Sequence, residues 1–124
     1  MVADGHEARL LDLRRDALGG SYDAVLANAV LHHLDRAELG SVLLRCREAV
    51  RGAGLLAFST KEGDGEHWSE HKLGLPRHFT FWREGPLREL LRASGWTVVS
   101  WRNERGRTEP WFYVIAQALS PIGP

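Results

Sequence analysis

Three short apolar runs, each bounded by glycine or proline, restrict what this chain can fold into more than any other feature of its sequence. Tyr22–Ala29 (YDAVLANA) follows the turn Gly19-Gly20-Ser21, Leu55–Thr60 (LLAFST) follows Gly52-Ala53-Gly54, and Trp111–Ala118 (WFYVIAQA) follows Pro110. Runs this short and this apolar are expected for strands covered on both faces. Trp96–Trp101 (WTVVSW) is rich in β-branched and aromatic residues and is predicted as a fourth strand. Ala8–Leu13 (ARLLDL) is a weaker fifth.

Helical periodicity fills the gaps between these runs. Asp35-Arg36-Ala37-Glu38 has the layout of a capping box, an acceptor at the N-cap with an acid three residues on. Ala37, Leu39, Val42, Leu43, Cys46, Ala49 and Val50 then recur at helical spacing, and Gly52 is placed to end the helix in a left-handed conformation. A second helix is predicted from Pro86 through Leu87, Leu90, Leu91 and Ala93 to a stop at Gly95. Gly63–Arg77 is polar, glycine-bearing and aperiodic, which reads as a loop or lid. Strands alternating with helices imply a layered α/β domain with a mostly parallel sheet.

Composition narrows the class further. The chain has 124 residues, a length suited to one domain. Its 16 Lys+Arg balance 16 Asp+Glu, so no overall field draws it to nucleic acid or an anionic membrane. No apolar run approaches the roughly 18 residues that span a bilayer, and the start, MVADGHEARL, lacks a signal-peptide layout. A single cysteine, Cys46, excludes an internal disulfide framework and a multi-cysteine zinc site. The expectation is a soluble, cytoplasmic domain.

The order of these segments resembles one known family. Asp12-Leu13-Arg14-Arg15, Ser21–Ala29, Leu31-His32-His33-Leu34, Arg51–Leu56 with Lys61-Glu62-Gly63, and Phe79-Thr80-Phe81-Trp82 followed by Ala93-Ser94-Gly95-Trp96 are similar to the middle and end of class I S-adenosylmethionine-dependent methyltransferases. The resemblance runs over residues 8 to 118. It implies a Rossmann-like α/β fold whose mostly parallel sheet closes with an antiparallel C-terminal hairpin. It also implies a methyltransferase acting on a small-molecule acceptor with S-adenosylmethionine as cofactor. Carried over residue by residue, Asp12 matches the acid that accepts from the adenine amino group, and Leu13 the position whose backbone amide meets the ring. Ala27 and Asn28 match the strand end that holds the methionyl part. His33 matches a frequent histidine just beyond that strand, the candidate catalytic base; His32 beside it could serve instead.

The family begins with a strand, a glycine-rich loop and a ribose-binding acid, and nothing upstream of Ala8 could hold that loop. The chain therefore resembles the C-terminal two-thirds of the family's domain, a truncated version of the fold. It is expected to bind the cofactor weakly or not at all on its own. The strand Tyr22–Ala29 would then expose an apolar edge at Val25, Leu26, Val30 and Leu31, an invitation to homodimerisation or to a partner supplying the missing half, unless Ala8–Leu13 folds back into that place.

Two readings from other classes accompany this one. The chain could be a non-enzymatic module that regulates or completes a partner. Alternatively, His67-Trp68-Ser69-Glu70-His71 matches the H-x-x-E-H zinc-hydrolase pattern, which needs a stiff helix where Gly63, Gly65, Gly74 and Pro76 crowd the flanks. The bland readings are equally concrete. Asp12 sits in a charged turn, Asn28 needs any polar partner once buried, and Cys46 is a small core residue. Trp68, His71, His78, Phe79 and Trp82 could line an acceptor pocket or cap the core.

Overall fold

A computed structural model describes residues 18, 20, 22–28, 31–69, 77–105 and 110–119. The elements run β1 (Tyr22–Ala27), a 3-10 turn (Leu31–His33), α1 (Arg36–Ala49), β2 (Val50–Glu62), β3 (Glu66–Ser69), β4 (Arg77–Trp82), α2 (Glu84–Ala93), β5 (Trp96–Arg105) and β6 (Pro110–Ala118). The six strands form one sheet in the order β3-β4-β2-β6-β5, with β1 also paired to β2. β1 and β4 run parallel to β2, whereas β6 runs antiparallel to both β2 and β5, and β3 antiparallel to β4. The side-by-side parallel pairing of Ala24–Ala27 with Leu55–Phe58 and the antiparallel β5–β6 hairpin agree with the expected architecture. Ala8–Leu13, like Asp12 and Leu13 within it, lies outside the described residues.

Period-two alternation divides the sheet into two unlike faces. The rows Val25–Leu56–Ala116–Val98 and Ala27–Phe58–Val114–Trp101, matched across four strands, point to the helices. There they join Leu39, Val42, Leu43, Cys46, Leu87, Leu91, Trp96 and Phe112 in one core. The row Leu26–Ala57–Ile115–Ser100 lies on the opposite face. No helix covers that face among the described residues, and Leu26 remains 77% exposed.

Local chemistry explains the helix ends. Asp35 caps α1 by accepting from the Glu38 N–H at 2.7 Å, while the Glu38 carboxylate accepts from the Asp35 N–H at 3.0 Å, so the capping box is formed. Leu39, Val42, Leu43, Cys46 and Ala49 are buried as the periodicity implies, but Ala37 is exposed. Burial pushes the Cys46 thiol up to about 11. α2 begins at Glu84, two residues before Pro86, which therefore occupies its first turn, and Ala93 at its end is exposed. Gly95 stops this helix at φ 90, where an added Cβ would lie 3.2 Å from Arg47 Cγ. The Trp96 indole N–H then donates to Leu43 O at 3.0 Å, tying β5 to α1.

Two expectations fail here. α1 does not end at a left-handed Gly52: Val50 is already extended and starts β2, and Ala53, at φ 62, takes the left-handed turn. The β1–β2 register accordingly jumps from Tyr22–Val50 to Ala24–Leu55, and Gly54 sits so close to Val50 that a Cβ would meet its Cβ at 2.6 Å. Gly63–Arg77 is not wholly a loop either, because Glu66–Ser69 pairs with Arg77–Thr80 as an antiparallel hairpin. Its anchor is polar: Glu66 Oε1 accepts from the Arg36 N–H at 2.9 Å and from Thr80 Oγ1 at 3.3 Å. Such tertiary bonds leave no apolar periodicity in the sequence.

The core and the cap are separable in stability. Leu43→Ala, at a fully buried site, is expected to lose about 2–5 kcal/mol, and Asp35→Ala about 0.5–2 kcal/mol, as read from urea unfolding midpoints at constant slope.

Candidate functional site

The carboxyl ends of β1 and β2 lie side by side, and of the residues singled out in the sequence Ala27 and Asn28 lie there, with His33 in the turn that follows. Asn28 follows the last β1 residue, Ala27, in a turn, and its Oδ1 accepts from Ser59 Oγ at 2.9 Å. Asn28 borders a shallow cleft of about 380 Å³ on the uncovered sheet face, lined also by Leu26, Ala57, Ser100, Arg102 and Tyr113. Arg102 stacks its guanidinium 5.2 Å from the Tyr113 ring centre.

Three residues beyond Asn28 the chain enters the 3-10 turn, and here the two adjacent histidines part company. His33 is exposed, and its Nδ1 lies 3.0 Å from His78 O on β4. His32 is only 4% exposed, stacked on Phe79 at 5.7 Å and edge-on to Trp111 at 5.2 Å. Its Nδ1 is buried without a hydrogen-bond partner. Burial first, then the neighbouring His33 and the Lys61 ammonium, lower the His32 pKa to about 4, so the ring is neutral at physiological pH.

Lys61 enters the sequence reading only within Lys61-Glu62-Gly63 and is given no role there. It occupies the same β2 face as Ser59, two residues on, and its direct register partners are Phe81 on β4 and Trp111 on β6. Its Nζ sits 4.4 Å from the Phe79 ring centre and 5.5 Å from that of Trp111. His32 and Lys61 therefore share the same two aromatic walls. The signal in the sequence was a lysine directly continuing an apolar strand, at even spacing from a serine; without the pairing of β2 to β4 and β6, its surroundings could not be read.

Of the other aromatics proposed for an acceptor pocket, Phe79 is half-buried in this cluster. Trp82 is buried beneath the Arg36 guanidinium at 4.4 Å, and Trp68 is 69% exposed against His78. His71 lies outside the described residues, as does Glu70 of the zinc pattern. His67 of that pattern lies in strand β3, opposite Phe79, rather than on a helix. Among the described residues no group of three His, Cys, Asp or Glu could hold a metal ion.

The depressed His32 pKa carries a stability consequence. The unfolded chain binds a proton on this ring near pH 6.5, whereas the folded chain does so only near 4. Stability from this group is thus complete above about 6.5 and lost as pH falls toward 4. His32→Asn should flatten the wild-type decline in unfolding free energy between pH 6.5 and 5, and the His32 ring resonances should not titrate in that interval.

No protein-family model and no curated protein sequence matches the chain. Solved structures do. The Burkholderia thailandensis 1,6-didemethyltoxoflavin-N1-methyltransferase, solved with 1,6-didemethyltoxoflavin and S-adenosylhomocysteine, is 24% identical with a TM-score of 0.68 over 89% of this chain and 49% of its own. A methyltransferase from Methanosarcina mazei is 14% identical with a TM-score of 0.77, over 90% of this chain and 66% of its own. The [4+2]-cyclase SpnF is 13% identical with a TM-score of 0.69, over 91% of this chain and 56% of its own. The chain thus spans between about half and two-thirds of the length of these proteins. Together with the strand pairing above, these likenesses show that the chain has the fold of the class I S-adenosylmethionine-dependent methyltransferases.

Proposed function

We propose that this chain belongs to the catalytic domain of an S-adenosylmethionine-dependent methyltransferase acting on a small molecule in the cytoplasm. The observation that carries the reading is the juxtaposition, at the carboxyl ends of two parallel strands, of an exposed polar corner and a buried neutral histidine. Ligands of open α/β sheets collect at such strand ends. The Asn28 carbonyl oxygen is engaged by Ser59, while its amide N–H groups have no protein partner among the described residues. That leaves two donors for a carboxylate, so the corner suits the methionyl end of the cofactor. Ala27 and Asn28 would hold that end, and Asp12 and Leu13, by resemblance, the adenine.

When bound, S-adenosylmethionine supplies a methyl group already activated on a sulfonium. The chain's own residues then have two tasks. One is to hold the acceptor in line, where orientation can contribute much of the rate. The other, for an acceptor that must lose a proton, is to receive it. His32 Nδ1, buried and without a hydrogen-bond partner, could receive it only as a weak base, since its pKa is lowered to about 4. His33, bonded to the β4 backbone, helps fix the 3-10 turn. The fold alone does not decide the reaction, since a cyclase shares it.

These 124 residues contain no glycine-rich loop ahead of a ribose-binding acid, so affinity should be low. Calorimetry with S-adenosylhomocysteine is expected to show saturable binding with Kd on the order of 1 mM, about −4 kcal/mol, abolished in Asn28→Ala. Micromolar binding would refute the claim of weakness, and no saturable heat would refute the cofactor assignment.

A second reading, a non-enzymatic module that dimerises or completes a partner, is favoured by the uncovered sheet face and by exposed Leu26 beside it. Equilibrium sedimentation separates the two: a concentration-dependent dimer weakened by Leu26→Lys supports it, and a monomer at all concentrations opposes it.

A further inference from the structure

The uncovered face of the sheet changes character along one register row. Leu26, Ala57, Ile115 and Ser100 lie side by side across β1, β2, β6 and β5, a span of about 14 Å at the usual strand spacing. The first three are apolar, and Leu26 and Ile115 are 77% and 39% exposed. Ser100 ends the row with a hydroxyl. Arg102, two residues further along β5 and on the same face, is the register partner of Tyr113 on β6. Its guanidinium rests 5.2 Å from the centre of the Tyr113 ring, and this stacking restricts where the cation lies. The face is thus apolar at β1 and polar, with a fixed cation, at β5.

The shallow cleft of about 380 Å³ lies along this row. That volume is at the small end of ligand-sized clefts, which combine an apolar lining with a few converging polar groups. Here the charge is at one end only. Arg102 offers a planar fork of donors that matches a carboxylate in shape as well as in charge. Among the described residues its one ionic partner is Glu104, 3.6 Å away, and both side chains are more than half exposed. An ion pair of that kind is weak in water, and one carboxylate at that distance does not occupy the five donors of the fork. A single cation at the end of a short apolar row fits a monoanion that carries an apolar tail.

We propose that this cleft binds a small carboxylic acid with an apolar tail. Arg102 meets the carboxylate, Ser100 donates its hydroxyl to it, and the tail lies over Ile115 and Ala57 toward Leu26. The site does not depend on the methyltransferase reading: Asn28, at the β1 end of the cleft, keeps the role given to it above.

Octanoate is the probe, with 1-octanol as its uncharged counterpart, and each is titrated calorimetrically into the full chain without S-adenosylmethionine. Octanoate is expected to bind saturably at one site, about fivefold more tightly than 1-octanol. Arg102→Gln should remove that difference and leave 1-octanol binding unchanged, and the exposure of this side chain makes the variant safe for the fold. Glu104→Gln, which frees the guanidinium, should strengthen octanoate binding, and Leu26→Asp should weaken the binding of both probes. The amide resonances that octanoate shifts should include those of Leu26, Ala57, Ile115 and Ser100. Absence of saturable octanoate binding, equal affinity for 1-octanol, undiminished octanoate affinity in Arg102→Gln, or shifts confined to other elements would each overturn the proposal. So would a dimer that saturating octanoate does not dissociate, since the face would then belong to a second copy of the chain.

Discussion

Everything in this domain is registered to one strand. β2 is 13 residues long and pairs in parallel with β1 along one edge, antiparallel with β6 along the other, and in parallel with β4 near its end. Because strand side chains alternate strictly, a slip of one residue would send Leu56 and Phe58 to the open face and Lys61 into the helices. The burial of Leu56, Phe58, Phe112 and Val114 against α1 and α2 prevents that slip. The same apolar pattern that stabilises the core thereby also determines which polar residues reach the strand ends.

The site inherits its electrostatics from this arrangement. Trp111 and Phe81 flank Lys61 because they are its register partners, and His32, in the 3-10 turn that follows β1, meets Trp111 and Phe79. A histidine and a lysine walled by aromatic rings lose water before they lose charge. Of two neutralising routes, deprotonating the imidazole is the less costly, and His32 takes it. The neighbouring His33 is exposed, with its Nδ1 3.0 Å from a β4 carbonyl. Two histidines adjacent in sequence thus sit in different surroundings, His32 buried between rings and His33 exposed.

Much of the fold was legible in the residues, and the reasons are local. Asp35 and Glu38 announce a cap that needs no tertiary context, and Gly95 is required by its left-handed backbone. The apolar runs at Tyr22, Leu55 and Trp111 mark strands because two covered faces demand continuous hydrophobicity. The β3–β4 hairpin was illegible because it is held by Glu66 reaching the first turn of α1, a contact between residues thirty positions apart. Val50 was read as helix because its apolar side chain suits either state; the extended backbone there depends on pairing with Tyr22. At the site, Ala27 and Asn28 were reached through resemblance and lie at the strand end, whereas Lys61 depended on strand neighbours that no single segment reveals. Asp12 and Leu13 lie outside the described residues.

Cys46 has a consequence for a protein proposed to handle an alkylating sulfonium. Thiolate is the form that electrophiles attack, and this thiol sits inside the helix–sheet core with its ionisation pushed to about 11. The one thiol of the chain is thus kept protonated and shielded from such an electrophile.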